Sequence, residues 1–391
     1  MSDERHVIDP QRRRLTVGRG PGGSATEAVA AAAGGAAQGR LEACGLSAIF
    51  ERAGSTGQKA FLVCSITDRD RQRRRSFTDK DEQVCFNSAF EDEKACRQYV
   101  KTTRLAIKCR KGLKPESPNQ DSFCVVSVEG EFAWYGIFDG HGPNGHEVSD
   151  FALSVLTREF VQRREQGVAP KDALEQSFQA TQDEIEAKNN PSHRERLDSS
   201  MSGTTCTVAY HDIPGQTIWI AHVGDSRAII SAQGNPKEAE VLGHDHKPDL
   251  PEEKKRIESR GGRVIFDGFY NHRVFSAKGQ YPGLNMSRAL GDVVGHTEAG
   301  LSAVPDVKEV SVPHGDPRLL LLCTDGVWEF IESRDAMHMA LKTKRPDELT
   351  PEEMDVNLER IAKESWDRWM KDSDNEISDD ITGIAVGIGC D

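Results

Sequence analysis

The chain has 391 residues, 37% of them hydrophobic and 29% charged, which suits one large domain with an appendage or two modest domains. Its 63 acidic residues outnumber 50 basic ones, and the formal net charge of −13 argues against a surface built to grip nucleic acid or an anionic membrane. No run approaches the roughly 20 apolar residues that span a bilayer, so membrane insertion is not expected.

Nine cysteines are an odd number, widely scattered and without a C-x-x-C pair, and read as reduced thiols of a cytoplasmic protein, with the nucleus as the alternative address. Residues 1–95 read as a low-complexity, largely disordered leader. Up to Gly39 it carries Arg12-Arg13-Arg14 and then glycine and alanine, with too few large apolar side chains to offset the entropy of ordering it. Five arginines fall within 69–75; a solvated run is the simpler reading beside a nuclear address or nucleic-acid patch. Phe61-Leu62-Val63-Cys64-Ser65-Ile66 resembles a short strand, so part of the leader after residue 60 is expected to pack on the domain that follows, 96–391.

Within that domain, segments 122–128, 132–138, 204–210, 217–223, 228–231, 319–323 and 381–388 are rich in Val, Ile, Phe, Trp and Thr and bounded by turn residues, which predicts strands. Segments 148–163, 171–188 and 356–370 repeat apolar residues at three- and four-residue steps and predict helices. Strands paired through short turns favour antiparallel sheets with grouped helices, an α+β fold, over βαβ alternation.

Aspartates fall at the strand ends. Phe138-Asp139-Gly140-His141-Gly142 follows one apolar strand, Cys323-Thr324-Asp325-Gly326 follows another, and Ser378-Asp379-Asp380 precedes the last. Any one Asp-Gly is most simply a turn. Three such sites converging would repel one another unless hard cations neutralised them, and oxygen ligands select magnesium or manganese over zinc. Asp139 is placed to bridge two ions, the Gly140 carbonyl offers a further oxygen, and His141 is a candidate proton donor to a leaving oxygen.

The ordered series Asn119-Gln120-Asp121-Ser122, Phe138 to Gly142, Ser202-Gly203-Thr204-Thr205, Val223-Gly224-Asp225-Ser226-Arg227, His246-Lys247-Pro248, Ser287 to Asp292, Thr324 to Trp328 and Asp379-Asp380-Ile381-Thr382 resembles the metal-dependent protein serine/threonine phosphatases of type 2C. The resemblance covers roughly residues 100–391. It implies a central β-sandwich of two antiparallel sheets flanked by helices on both outer faces, with two Mg²⁺ or Mn²⁺ ions at one end. It implies Asp121, Asp139, Gly140, Asp325 and Asp379 as metal ligands, and a weaker third ion at Asp225, with Glu329 as a second contact. Ser202 to Thr205 and Ser287 to Asp292 are expected to be framework.

Two positions depart from the family's usual pattern. Gln120 stands where a glutamate is common, and Glu116 stands where many members carry the arginine that clamps phosphate; Lys114 is therefore the candidate phosphate ligand, acting as a point charge. The expected activity is hydrolysis of phosphoserine and phosphothreonine in proteins by a metal-activated water, with His141 as general acid. The substrates are phosphorylated proteins, and a monomer is expected. The rival reading is a pseudophosphatase acting as a regulatory binding protein, against which Asp139, His141, Asp325 and Asp379 all speak.

Overall fold

The computed structural model describes residues 35–67 and 78–389. Strand Asp121–Val128 is buried on both faces: Phe123 and Val125 enter one core while Cys124 and Val126 enter another. That is the period-two alternation of a strand inside a layered fold. One antiparallel sheet runs, edge to edge, Asp306–Ser311, Thr217–Val223, Cys206–Asp212, Phe132–His141, Asp121–Val128, Ala60–Ser65 and Glu82–Phe86. The other runs Asn235–Val241, Arg227–Ala232, Arg318–Cys323, Ile381–Ile388 and Leu105–Arg110, also antiparallel.

Phe61, Phe123, Ile137 and Ile220 of the first sheet meet Ile230, Leu320, Leu322 and Ile384 of the second in the central core. Helices Gly145–Glu165 and Pro170–Lys188 cover the outer face of the first sheet, where Trp134 stacks on Phe160 with ring centres 4.6 Å apart. Helices Ser333–Leu341 and Pro351–Asp372 cover the second. The expected sandwich flanked by helices on both outer faces is present. Among the described residues no helix is long and apolar enough to cross a membrane.

The division expected near residue 96 falls elsewhere, because the main compact unit begins at Ala37. Helix Ser47–Ser55 buries Ile49, Phe50 and Ala53 beside Leu41 and Leu46, and Ala60–Ser65 is an interior strand of the first sheet with every residue buried. These apolar residues are sparse along the sequence but all face one way, which a count over the whole leader hides. Segment 78–81 laces the two sheets together. Lys111 donates its N–H to the Thr78 carbonyl and Asp79 bridges to Arg110 on the second sheet, while Ile66 donates to the Asp81 carbonyl beside the first. The arginine run at 69–75 and the leader up to residue 34 lie outside the described residues.

Between residues 263 and 284 three short strands, Arg263–Phe266, His272–Phe275 and Pro282–Leu284, form a flap. Val274 packs beneath it with Ile257 and Leu301, whereas Phe266, Phe269 and Tyr270 are exposed.

Candidate active site

Antiparallel pairing places Asp121 directly opposite Asp139 at one end of the first sheet. Thr205 fixes Asp139 from the other side, donating its N–H to the Asp139 carbonyl at 2.9 Å and accepting the Asp139 N–H on its hydroxyl at 3.2 Å. The next residue must be glycine. A Cβ on Gly140 would lie 2.4 Å from the Gly145 carbonyl oxygen and 2.6 Å from that of Gln120, both backbone atoms unable to give way. From the second sheet, Asp325 opens the short helix Asp325–Trp328, and Asp379 immediately precedes strand Ile381–Ile388. Asp380 is committed elsewhere: its two oxygens accept the Gly112 and Gln120 N–H groups at 2.7 and 2.8 Å, which fastens the 112–120 loop over the site.

The electrostatics are those of crowded carboxylates. Burial, together with the charges of Asp325, Asp121 and Asp379, drives the Asp139 carboxyl well above the ordinary range. Asp325 rises through burial and the charges of Asp225 and Asp379, and Asp121 through burial and the charges of Asp380 and Asp379. Thr324 donates its hydroxyl to Asp121 Oδ2 at 3.1 Å, while Asp121 Oδ1 and Asp225 Oδ1 are buried without a hydrogen-bond partner. Buried, unpartnered, mutually repelling oxygens and no thiolate or imidazole among them are the donor set that hard divalent cations fit.

Lys114 reaches the cluster and donates to Asp379. Burial pulls against its charge, but Asp379, Asp380 and Asp139 more than reverse this and raise its pKa. Lys247 donates to Asp225 Oδ2 at 2.5 Å and is held charged in the same way. Glu329 is exposed and immediately follows the short helix that Asp325 opens. Its N–H continues the turn begun at Asp325, donating to that residue's carbonyl at 2.8 Å.

His141 has a partner that the sequence reading assigned to the framework. His141 Nε2 and Asp292 Oδ2 are 2.6 Å apart, with the Asp292 side chain 1% exposed. A three-strand ladder brings them together, because His141 pairs with Gly203 and Gly203 with Gly291. Gly203 has no side chain for a reason: a Cβ there would lie 2.1 Å from Asp292 Oδ2. Burial opposes a charged imidazole, but the charge and hydrogen bond of Asp292 outweigh it and raise the His141 pKa. The available signal was that Gly291-Asp292, like Asp139-Gly140, sets an aspartate at the end of a short paired segment.

A second group deserves a chemical test. His222, His246 and Asp306 bring potential ligand atoms within 4.8 Å of one another. Gly224 donates its N–H to His246 Nδ1 at 3.1 Å, so the neutral ring carries its proton on Nε2, which faces Asp306 Oδ2 at 3.3 Å. His222 Nε2 lies 2.9 Å from the His244 carbonyl, and burial and His246 lower its pKa to about 4. With its only free nitrogen protonated, His246 has no lone pair for a metal. The trio anchors the turn that presents Asp225, since His246 also donates its own N–H to the Gly224 carbonyl.

This architecture has relatives. The family model for protein phosphatase 2C matches residues 93–371. Probable protein phosphatase 2C 34 of Arabidopsis thaliana is 31% identical over 289 residues, 68% of this chain and 76% of that protein. Probable protein phosphatase 2C 73 of the same plant is 30% identical over 68% of this chain and 75% of its own. Among solved structures, a serine-threonine phosphatase 2C from Toxoplasma gondii superposes with a TM-score of 0.59 at 22% identity, covering 73% of this chain and 94% of that one. A sex determining protein of C. elegans gives the same TM-score at 21% identity, over 73% of this chain and 65% of its own. The chain belongs to the protein phosphatase 2C family, the metal-dependent protein serine/threonine phosphatases.

Proposed function

We propose that this phosphatase hydrolyses phosphoserine and phosphothreonine at a two-cation centre held by Asp121, Asp139, the Gly140 carbonyl, Asp325 and Asp379, with His141 as general acid. The observation that carries the reading is the approach of Asp325 and Asp379 from the second sheet to Asp121 and Asp139 on the first, with Asp139 and Asp325 in hydrogen-bond contact and Asp121 Oδ1 buried without a partner. Mg²⁺ or Mn²⁺ bound there supplies a water of lowered pKa and offsets phosphoryl charge. Asp225 has one free oxygen for a weaker third ion, with Lys247 on the other.

The protein's own groups do the rest. Lys114, at the mouth of the cluster, is the cation for a phosphoryl oxygen. Asp292 orients the His141 ring and keeps it protonated, so that a proton is ready for the departing seryl or threonyl oxygen. A pseudophosphatase would have no use for a buried carboxylate holding that ring charged. The expected substrates are phosphorylated proteins, met by a monomeric enzyme.

The test is turnover of a phosphothreonine peptide against Mn²⁺ concentration. Asp139→Asn removes a carboxylate that would hold the cations and is expected to abolish turnover while the circular dichroism spectrum stays that of the parent. Near-normal turnover in that variant would overturn the two-cation assignment.

A further inference from the structure

Lys80 lies outside the segment that the family model matches, in the stretch that laces the two sheets, yet it is 3% exposed beside the acidic cluster. Its ammonium donates to the backbone carbonyl of Asp121, and its charge favours the ionised Asp121 carboxylate. A buried ammonium is costly unless its charge is answered. The Asp121 carbonyl accepts from it, and its charge works on the Asp121 carboxyl against the repulsion of Asp380 and Asp379.

The main chain around Lys80 is pinned on both sides. Its own N–H donates to the Cys109 carbonyl, and Lys111 donates to the carbonyl of Thr78. Arg110 Nε donates to Asp79 Oδ1 at 2.6 Å, and the Asp81 carbonyl accepts from Ile66. Strand Glu82–Phe86 then locks the segment into the first sheet against Ala60–Ser65. The side chain is thus delivered to one place, the main chain of Asp121, and it leaves Asp121 Oδ1 without a partner.

We propose that Lys80 is a positioning residue of the metal centre. It clamps the main chain of Asp121 and sets a fixed positive charge behind the carboxylate, so that this upstream segment tunes the affinity of the family's catalytic domain for divalent cations. The proposal rests on the reading of Asp121 and Asp139 as cation ligands. Lys80 acts through Asp121 and touches neither substrate nor the reacting atoms.

The test uses the full chain and Mn²⁺ alone, titrated by calorimetry and followed in parallel by turnover of a phosphothreonine peptide. Lys80→Gln keeps a donor but loses the charge; it is expected to weaken Mn²⁺ binding by roughly 10–100-fold, the usual cost of removing a group that supports a metal ligand, with turnover recovering at saturating Mn²⁺. Lys80→Arg keeps the charge and is expected to stay closer to the parent. A purely structural residue would lower the melting temperature or the saturated turnover without moving the Mn²⁺ isotherm, and that result would overturn the proposal. So would failure of both variants to fold, which would assign Lys80 to the core. Asp139→Asn is the reference. If it binds Mn²⁺ like the parent, the metal-centre reading itself fails; if it loses Mn²⁺ while Lys80→Gln does not, only the role of Lys80 falls.

Discussion

Asp121 and Asp139 stand opposite each other across an antiparallel pair, so two carboxylates leave the same end of one sheet on adjacent strands. Like charges at directly opposed positions destabilise a sheet, and Asp325 and Asp379 from the second sheet add to the repulsion. Divalent cations bound among these carboxylates would offset that repulsion.

Without metal, burial and neighbouring carboxylates push Asp121 from an ordinary 3.8 up to about 7 and Asp325 up to about 8. The folded chain therefore binds protons that the unfolded chain has released, and stability falls as pH rises through that range. Buried neutral His222 and His296 act in the opposite direction, but only below the ordinary histidine value of 6.5. Between pH 6.5 and 8 the melting temperature of the metal-free protein is expected to drop, and the increase on adding Mn²⁺ to grow with pH. A metal-free melting temperature that climbed across this interval would contradict the account.

The two second-sheet carboxylates should be separable from Asp139. Asp325→Asn and Asp379→Asn each remove one charge from the cluster while Asp139 and Asp121 remain. Each is expected to lower turnover severely at ordinary Mn²⁺ and to regain part of it at high Mn²⁺. Asp379→Asn also releases Lys114 from its ion pair and should alter KM for a phosphopeptide more than Asp325→Asn does. Identical, unrescued losses in steady-state assays would refute this division.

How much of this was legible in the sequence depended on burial. Interior strands such as Arg318–Cys323 are continuous apolar runs and announce themselves, as does Ile381–Ile388. Edge strands do not: Leu105–Arg110 and Asp306–Ser311 mix Lys, Arg, Asp and Glu with their apolar residues because one side faces water. Asp139, Asp325 and Asp379 were readable because each sits where an apolar run meets a turn. Lys80 was not, and Asp292 showed only as an aspartate closing a short paired segment, since their roles come from partners 41 and 151 residues away in the chain.

Truncation tests where the domain begins. Residues before Ala37 lie outside the main unit, and their removal is expected to leave turnover and melting temperature nearly unchanged. Cutting to residue 95, by contrast, removes the buried strand Ala60–Ser65 and the edge strand Glu82–Phe86 along with Leu46, Ile49 and Phe50, exposing the flank of Asp121–Val128. That chain is expected to be insoluble or unfolded by circular dichroism. A soluble, active 96–391 fragment would show that the upstream strands are dispensable.

The pairing of His141 with Asp292 separates proton donation from metal binding. His141→Ala is expected to slow phosphoserine peptides, whose alkoxide leaving group needs a proton, by roughly 10²–10⁴. An aryl phosphate leaves as a stable phenolate and should lose much less, with Mn²⁺ affinity little changed. Asp292→Asn removes the charge that raises the His141 pKa, so the imidazolium is lost at lower pH and the alkaline limb of the phosphoserine pH profile should move down. Because Asp292 works through the ring it touches, adding Asp292→Asn to His141→Ala should cost little more than His141→Ala alone. If the two losses multiplied, Asp292 would have a task apart from His141; if both substrates slowed equally in His141→Ala, the histidine would not be the acid.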